Sequence, residues 1–133
     1  MLLNFFYKYK ITLNQLFLMS VHELLLRDSN SGYSYKLNYD EISYISIDRY
    51  LLKYHTTRYG DLYVATGILC RCCSLLPTFF CRLNRNLVVN MKFIEMFSLN
   101  EKFVCLSGIS TPFKISSSGV KRIKHYYEDY INI

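Results

Sequence analysis

The hydrophobic and polar positions of this chain follow two different periods, and each period predicts one kind of element. Apolar residues recur at helical intervals from Thr12 to Arg27, which predicts an amphipathic helix. Between Tyr33 and Tyr39 every second residue is Tyr or Leu and the others are polar, which predicts a half-buried strand. The β-branched and aromatic residues from Ile42 to Leu52 favour more strand, with a short helix as the alternative.

The middle of the chain is almost wholly apolar. A polar segment, Lys53 to Gly60, is predicted to be a loop. Asp61 then stands where it would cap a helix that ends near Leu76, because the proline that follows disfavours helical geometry in the residue before it. Arg71 is the only charge inside this segment, and a helix that is apolar on all sides is normally buried in a fold or in a membrane. We therefore expect a buried central helix.

The last third of the chain returns to alternation and then becomes basic. Leu87 to Phe97 alternates until the pattern slips, and Lys102 to Ile109 predicts the second strand of an antiparallel hairpin. Ser116 to Gly119 is expected to be flexible, and Val120 to Ile131 is predicted to be a final short helix.

Composition indicates one folded domain in a reducing compartment. A hydrophobic fraction of 51% and a charged fraction of 20% over 133 residues exclude a disordered chain. We expect one domain over residues 1–133, with an N-terminal helical segment (1–28), a core (33–110) and a basic C-terminal segment (111–133). The five cysteines have no regular spacing, and lysines follow the apolar N-terminus where a signal peptide would have them first. The expected location is intracellular, either cytoplasmic or organellar.

The net charge of +6 indicates an anionic partner. Basic residues cluster close to aromatic ones at Arg82 to Arg85, which follows Phe79 and Phe80, and at Lys121 to Tyr127, a combination that can hold phosphates and stack on bases. A basic interaction protein that binds nucleic acid or another protein is therefore one alternative. A small membrane-associated protein is another, because Leu62 to Phe80 is long enough to span a bilayer, although Arg71 at its centre opposes insertion.

The chemistry-bearing residues give few motifs. Cys70 and Cys73 form a C-x-x-C, but this pair lies in the predicted apolar helix, where cysteine normally packs as a small hydrophobe, so no metal is expected. His22 and His125 have no histidine or cysteine four residues away. The chain contains no P-loop, no G-x-G-x-x-G and no G-x-S-x-G, and we expect no cofactor.

The order of elements resembles the hotdog fold of acyl-CoA thioesterases and dehydratases, in which a curled sheet wraps one buried helix. The stretch from Tyr59 to Gly67, Y-G-D-L-Y-V-A-T-G, is similar to the glycine turn that opens into the helix of that family. The run from Leu87 to Ile109, L-V-V-N-M-K-F-I-E-M-F-S-L-N-E-K-F-V-C-L-S-G-I, resembles its hairpin. The fold that this resemblance implies is α+β, a curled antiparallel sheet packed around the apolar central helix.

The same resemblance implies an acyl-thioester-binding protein, at least dimeric, whose partner is acyl-CoA or an acyl-carrier thioester. Gly60, Arg58 and Arg85 are then expected to bind the substrate, the arginines through the phosphates of CoA. Asp61 and His55 are the catalytic candidates for thioester hydrolysis, with Asp61 either the general base or only the cap of the helix. Whether the protein is an enzyme stays open at this point.

Overall fold

A computed structural model describes residues 23–65 and 75–131, and in these ranges the chain is mostly β-structure followed by one helix. The strands are β1 Glu23–Arg27, β2 Ser34–Asn38, β3 Ile42–Asp48, β4 Leu51–Thr56, β5 Gly60–Val64, β6 Phe80–Asn84, β7 Leu87–Asn90, β8 Ile94–Ser98, β9 Phe103–Leu106 and β10 Phe113–Lys114. The helix, α1, is Ser117–Ile131.

The described strands form a two-stranded, a five-stranded and a three-stranded sheet, and all strand pairs are antiparallel. β1 pairs with β2, the five-stranded sheet has the order β5-β4-β3-β7-β6, and the three-stranded sheet has the order β10-β9-β8. The ladder between β3 and β7 is the centre of the large sheet, with Tyr44 opposite Val89 and Ile45 opposite Val88.

Each face of the five-stranded sheet covers a separate hydrophobic core. Ile45 and Val88 point to one face and pack with Leu26 and Leu37 of the β1–β2 hairpin. Their chain neighbours point to the other face and pack beneath α1 and the three-stranded sheet, where Ile123 is buried. This arrangement follows from the two-residue period of a strand, which sends successive side chains to opposite faces.

A short 3-10 turn, Met91–Phe93, carries the chain from β7 of the large sheet to β8 of the small one. The fully buried Asn90 fixes this turn: its Nδ2 donates to the carbonyl oxygen of Ile42 at 3.0 Å, and its Oδ1 accepts from the backbone N–H of Lys92 at 3.0 Å. The turn is the physical reason that the alternation of Leu87 to Phe97 slips in the sequence.

Helix α1 lies against the backbone of β6. The hydroxyl of Ser116 accepts from the N–H of Gly119 at 3.0 Å, as an N-cap does, and donates to the carbonyl oxygen of Leu83 at 3.1 Å. A Cβ added at Gly119 would overlap that same carbonyl oxygen and the side chain of Ile115. Only glycine allows the helix to approach this closely, and Ser116 to Gly119, expected to be flexible, begins an ordered helix instead.

The predicted sheet around a central helix is wrong. Gly60–Val64, where the predicted helix starts, is strand β5 and pairs with β4, while residues 66–74 lie outside the described part of the chain. The predicted loop from Lys53 is also wrong, because β4 continues to Thr56. A short apolar run is compatible with either a buried strand or a buried helix. In the structure this run forms a strand because it pairs with β4.

The other predictions of elements have mixed outcomes. The strand between Tyr33 and Tyr39 is confirmed as β2, the strands after Ile42 as β3 and the start of β4, and the last helix as α1. The predicted hairpin is confirmed in part: β8 pairs with β9, but Leu87–Asn90 of the predicted first strand is β7 of the five-stranded sheet. Of the predicted N-terminal helix, residues 23–27 form β1 instead, and residues 12–22 lie outside the described ranges. The division of residues 1–133 into one domain of three parts stays a prediction.

Candidate nucleic-acid interface

Two tight turns meet at one end of the five-stranded sheet. Arg49 and Tyr50 form the turn between β3 and β4, and Arg85 and Asn86 form the turn between β6 and β7. Because β3 and β7 are antiparallel neighbours, these turns lie side by side, and the backbone N–H of Ile47 donates to the carbonyl oxygen of Asn86 at 3.1 Å. Both arginines are exposed, and Tyr50 is 94% exposed.

Helix α1 starts beside the same turns. The backbone N–H of Ser116 donates to the carbonyl oxygen of Leu83 at 2.9 Å, and the side-chain amide of Asn84 donates to that of Lys114 at 2.9 Å. The helix then runs along β6, where the Nη1 of Arg122 donates to the carbonyl oxygen of Arg82 at 3.1 Å. The positive end of the helix dipole therefore lies at this end of the sheet.

These turns and the helix carry basic residues that are far apart in the sequence: Arg49 and Arg85 lie at the turn end of the sheet, and Lys121 and Arg122 lie further along β6, near Thr78 and Phe80. All of them are exposed except Arg82, which is half-buried. We call this set the basic surface; its members are Arg49, Arg82, Arg85, Lys114, Lys121, Arg122 and Lys124.

No carboxylate that the structure describes forms an ion pair with the basic surface. Within residues 23–65 and 75–131, every ion pair involves other residues. A cluster of unpaired cations produces a positive potential that attracts polyanions. Such a surface favours nucleic acid as a partner, because each cation that contacts a phosphate releases a counterion condensed on the nucleic acid.

The opposite end of the sheet carries cations in ion pairs. The Nη2 of Arg58, in the β4–β5 turn, lies 2.5 Å from Oε1 of Glu41, and the Nζ of Lys92 lies 2.8 Å from Oδ1 of Asp40. The hydrogen bond from Arg58 holds the pKa of Glu41 below its usual value. This end therefore offers little free positive charge to a partner.

The structure brings His55 and Asp61 together, although not in the predicted setting. They are direct partners across β4 and β5, and Nδ1 of His55 lies 2.5 Å from Oδ1 of Asp61. The His55 ring stacks on Tyr44, with centroids 4.9 Å apart and planes 11° apart. Asp61 therefore lies in a strand, where it neither caps a helix nor stands at a helix N-terminus.

The residues expected to bind a thioester do not form one site. Gly60, with a φ of +70°, is the first residue of β5. Arg58 lies in the preceding β4–β5 turn, where its guanidinium is held by Glu41 and lies 5.0 Å from the centre of the Tyr59 ring. Arg85 lies at the other end of the sheet, in the basic surface. The basic surface thus contains one predicted binding residue and separates it from the others.

The alternatives of a metal site and a membrane span find no support in the described residues. No group of three or more His, Cys, Asp or Glu side chains that could hold a metal ion occurs there, and Cys70, Cys72 and Cys73 lie outside those ranges. No described helix is long and apolar enough to cross a membrane.

Sequence reasoning found part of the basic surface and missed part of it. Arg82 to Arg85 and Lys121 to Tyr127 were recognisable because basic residues cluster there close to aromatic ones. Arg49 and Lys114 are isolated in the sequence, and only the sheet topology brings them to the same place. A two-residue turn that exposes an arginine between alternating segments was the one signal available for Arg49.

Comparison with known proteins agrees with the β-rich fold. A family model described as the LytTr DNA-binding domain matches residues 32–128. The chain is also similar to a solved LytTr DNA-binding domain from Bacillus cereus, part of a protein described as a methyl-accepting/DNA response regulator. That likeness has a TM-score of 0.63 and 12% sequence identity, and it covers 80% of this chain and 94% of the other. No curated protein matches the sequence.

These comparisons overturn the hotdog resemblance. The matching family and the matching structure are DNA-binding domains, and neither is a sheet wrapped around a helix. The expectations of thioester hydrolysis and of acyl-CoA as partner are therefore wrong, and the homodimer inferred from them loses its basis. The nucleic-acid alternative agrees with the comparisons, and so does the expected intracellular location.

Proposed function

We propose, from the premise that the chain belongs to the LytTR DNA-binding domain family, that it binds double-stranded DNA through the basic surface. The observation that supports this surface is the contrast in ion pairing: within the described part of the chain its cations form no ion pair, whereas Arg58 and Lys92 face carboxylates. Unpaired, exposed arginines and lysines are what phosphate contact requires.

The shape of the basic surface suggests a division of work. Arg49 and Arg85 stand at the tips of two adjacent turns, and a short protruding turn can enter a DNA groove while the rest of the fold stays outside. Lys114, Lys121 and Lys124 lie on or beside α1, where they can contact phosphates on the flank of the groove. We assign base contacts to the turns and phosphate contacts to the lysines.

The test is a titration of fluorescent duplex DNA with the full chain at several salt concentrations, followed by fluorescence anisotropy. Binding should weaken linearly in a plot of log K against log salt, because association releases counterions. Each lysine that contacts a phosphate adds about 0.9 to the slope for B-form DNA. Lys121→Ala should therefore lower the slope by about one and weaken binding to all sequences alike.

Lys36→Ala is the matched control. Lys36 is exposed on β2, which belongs to the hairpin beside β5, the edge strand opposite β6, and the substitution removes the same charge. Its slope should equal that of the wild type. Equal losses for Lys36→Ala and Lys121→Ala would mean that net charge alone drives binding, and the assignment of the basic surface would be wrong. Tighter binding to single strands than to duplexes would also contradict the proposal.

The location follows from the function. A protein that binds DNA acts in the compartment that holds the DNA, so we propose that the chain works inside the cell. Fractionation followed by detection of DNA-bound chain tests this proposal, and a chain found only outside DNA-containing compartments would contradict it.

A further inference from the structure

Most backbone polar groups of the β6–β7 turn form hydrogen bonds within the protein. The Nη2 of Arg82 donates to the carbonyl oxygen of Arg85 at 2.9 Å, and its Nε donates to that of Asn84 at 3.4 Å. The Oδ1 of Asn84 accepts from the N–H of Asn86 at 2.8 Å, and the carbonyl oxygen of Asn86 accepts from Ile47. The exposed side chains of Arg85 and Asn86 are left available to a partner, and that of Arg85 carries the charge.

Asn84 also ties this turn to the helix side of the basic surface. Its Nδ2 donates to the carbonyl oxygen of Lys114 at 2.9 Å, three residues before α1 begins. The strand β6 has a bulge at Leu83, since Arg82 pairs with Val88 and Asn84 with Leu87. A bulge bends a strand locally and redirects the residues that follow it.

A phosphate contact does not need this degree of order. A lysine or arginine on a mobile turn still attracts a phosphate, because the charge interaction depends weakly on direction. Hydrogen bonds to a base edge depend strongly on position and angle. A turn whose carbonyls are all held is therefore suited to directional contacts by the residue at its tip.

We infer that Arg82 and Asn84 are positioning residues, which fix the direction of Arg85, and that Arg82 does not itself contact a phosphate. This inference rests on the proposed function for its DNA side. The guanidinium of Arg82 already donates to two carbonyl oxygens of the turn, so its role differs from that of the lysines on α1 although its charge is the same.

The decisive variant is Arg82→Lys, which keeps the charge but cannot reproduce the fork of two donors. Affinity is measured for a duplex that the wild type enriches from a randomised pool and for a scrambled duplex. We expect the ratio of these affinities to fall about 10-fold, with the salt slope unchanged. Asn84→Ala should do the same. In an Arg85→Ala background, Arg82→Lys should have no further effect on the ratio.

Arg58→Lys is the matched control, since it is the same charge-preserving exchange at an arginine that also makes two hydrogen bonds, to Glu41, outside the basic surface. It should leave the ratio unchanged. The inference is overturned if Arg82→Lys keeps the wild-type affinity ratio and Arg82→Ala lowers the salt slope by about one. Arg82 would then be a phosphate contact.

A second measurement does not depend on DNA. Amide hydrogen exchange of Asn86 should be at least about 10-fold faster in Arg82→Lys and in Asn84→Ala than in the wild type, because the turn opens more often. Unchanged exchange would overturn the positioning role even if the variants bound DNA poorly. Failure of the wild type to bind any duplex would instead overturn the proposed function, and the exchange data would still decide whether the turn is held as described.

Discussion

Both ends of the five-stranded sheet carry basic side chains, but those at one end are paired with carboxylates and those at the other end are not paired with any described carboxylate. At the end of the β4–β5 turn, Arg58 and Lys92 each face a carboxylate. At the end of the β3–β4 and β6–β7 turns, Arg49 and Arg85 face none within the described residues. Exposed ion pairs add little stability, so the pairing at the first end mainly removes free charge. The second end keeps its charge for a partner.

The largest effect is expected from a substitution that displaces α1, which carries part of the basic surface, from β6. Gly119→Ala places a Cβ against the carbonyl oxygen of Leu83, and the helix must move away from β6. We expect a loss of about 3 kcal/mol in the free energy of unfolding, although alanine is the better helix former. Urea unfolding measures it. Ser118→Ala, in the same turn of the helix but exposed, is the control and should change stability by less than about 0.5 kcal/mol.

Asn90→Ala removes buried hydrogen bonds at the end of the sheet where Arg58 and Lys92 are paired with carboxylates. It leaves the carbonyl of Ile42 and the N–H of Lys92 without their buried partner, which should lower stability by about 2 kcal/mol. DNA affinity at a temperature where the variant is folded should equal that of the wild type, because the side chain of Asn90 bonds Ile42 and Lys92 and no member of the basic surface. A loss of affinity without unfolding would show that the two ends are coupled.

Removing one arginine at each end of the sheet compares the two ends directly. Arg85→Ala should weaken duplex binding about 10-fold at moderate salt, whereas Arg58→Ala should leave it nearly unchanged, since Arg58 is already paired with Glu41. Fluorescence anisotropy on one duplex measures both. Similar losses in the two variants would contradict the distinction between the ends.

The smallest expected effect is a dependence of stability on acid. Hydrogen bonds from Arg58 lower the pKa of Glu41 below its ordinary value of 4.5 in the folded protein. The stabilisation is therefore complete above pH 4.5 and is lost as the pH falls through the lower, folded value. Urea midpoints across this range should decline less steeply in Glu41→Gln than in the wild type. Parallel declines would show that the pair with Arg58 contributes nothing.

Much of the strand pattern could be predicted from local periodicity, because each such element has a distinct period. The alternation before Tyr39 and the helical period after Val120 each identify a single element. Gly60–Val64 could not be assigned in this way, since a short apolar run is compatible with either a strand or a helix. Its pairing with β4 is a tertiary fact, and the prediction of a central helix failed there.

The candidate interface was predictable only where its residues are neighbours in sequence. Arg82 and Arg85, and the basic residues of α1, stood out by composition. Arg49 and Lys114 join them through the β3–β7 ladder and through the hydrogen bond from Asn84. Charge patterning along a chain cannot show such a surface, because it is created by the pairing of distant strands.

The β3–β7 ladder also has a consequence for the order of folding. β3, β4 and β5 form a local meander, and β6 and β7 form a local hairpin, whereas Tyr44 and Val89 must find each other across a long stretch of chain. Closing that large loop is entropically unfavourable, so we expect it to limit the folding rate. Arg49 and Arg85 become neighbours only at that step, and a partly folded chain has no assembled surface with which to recognise its target.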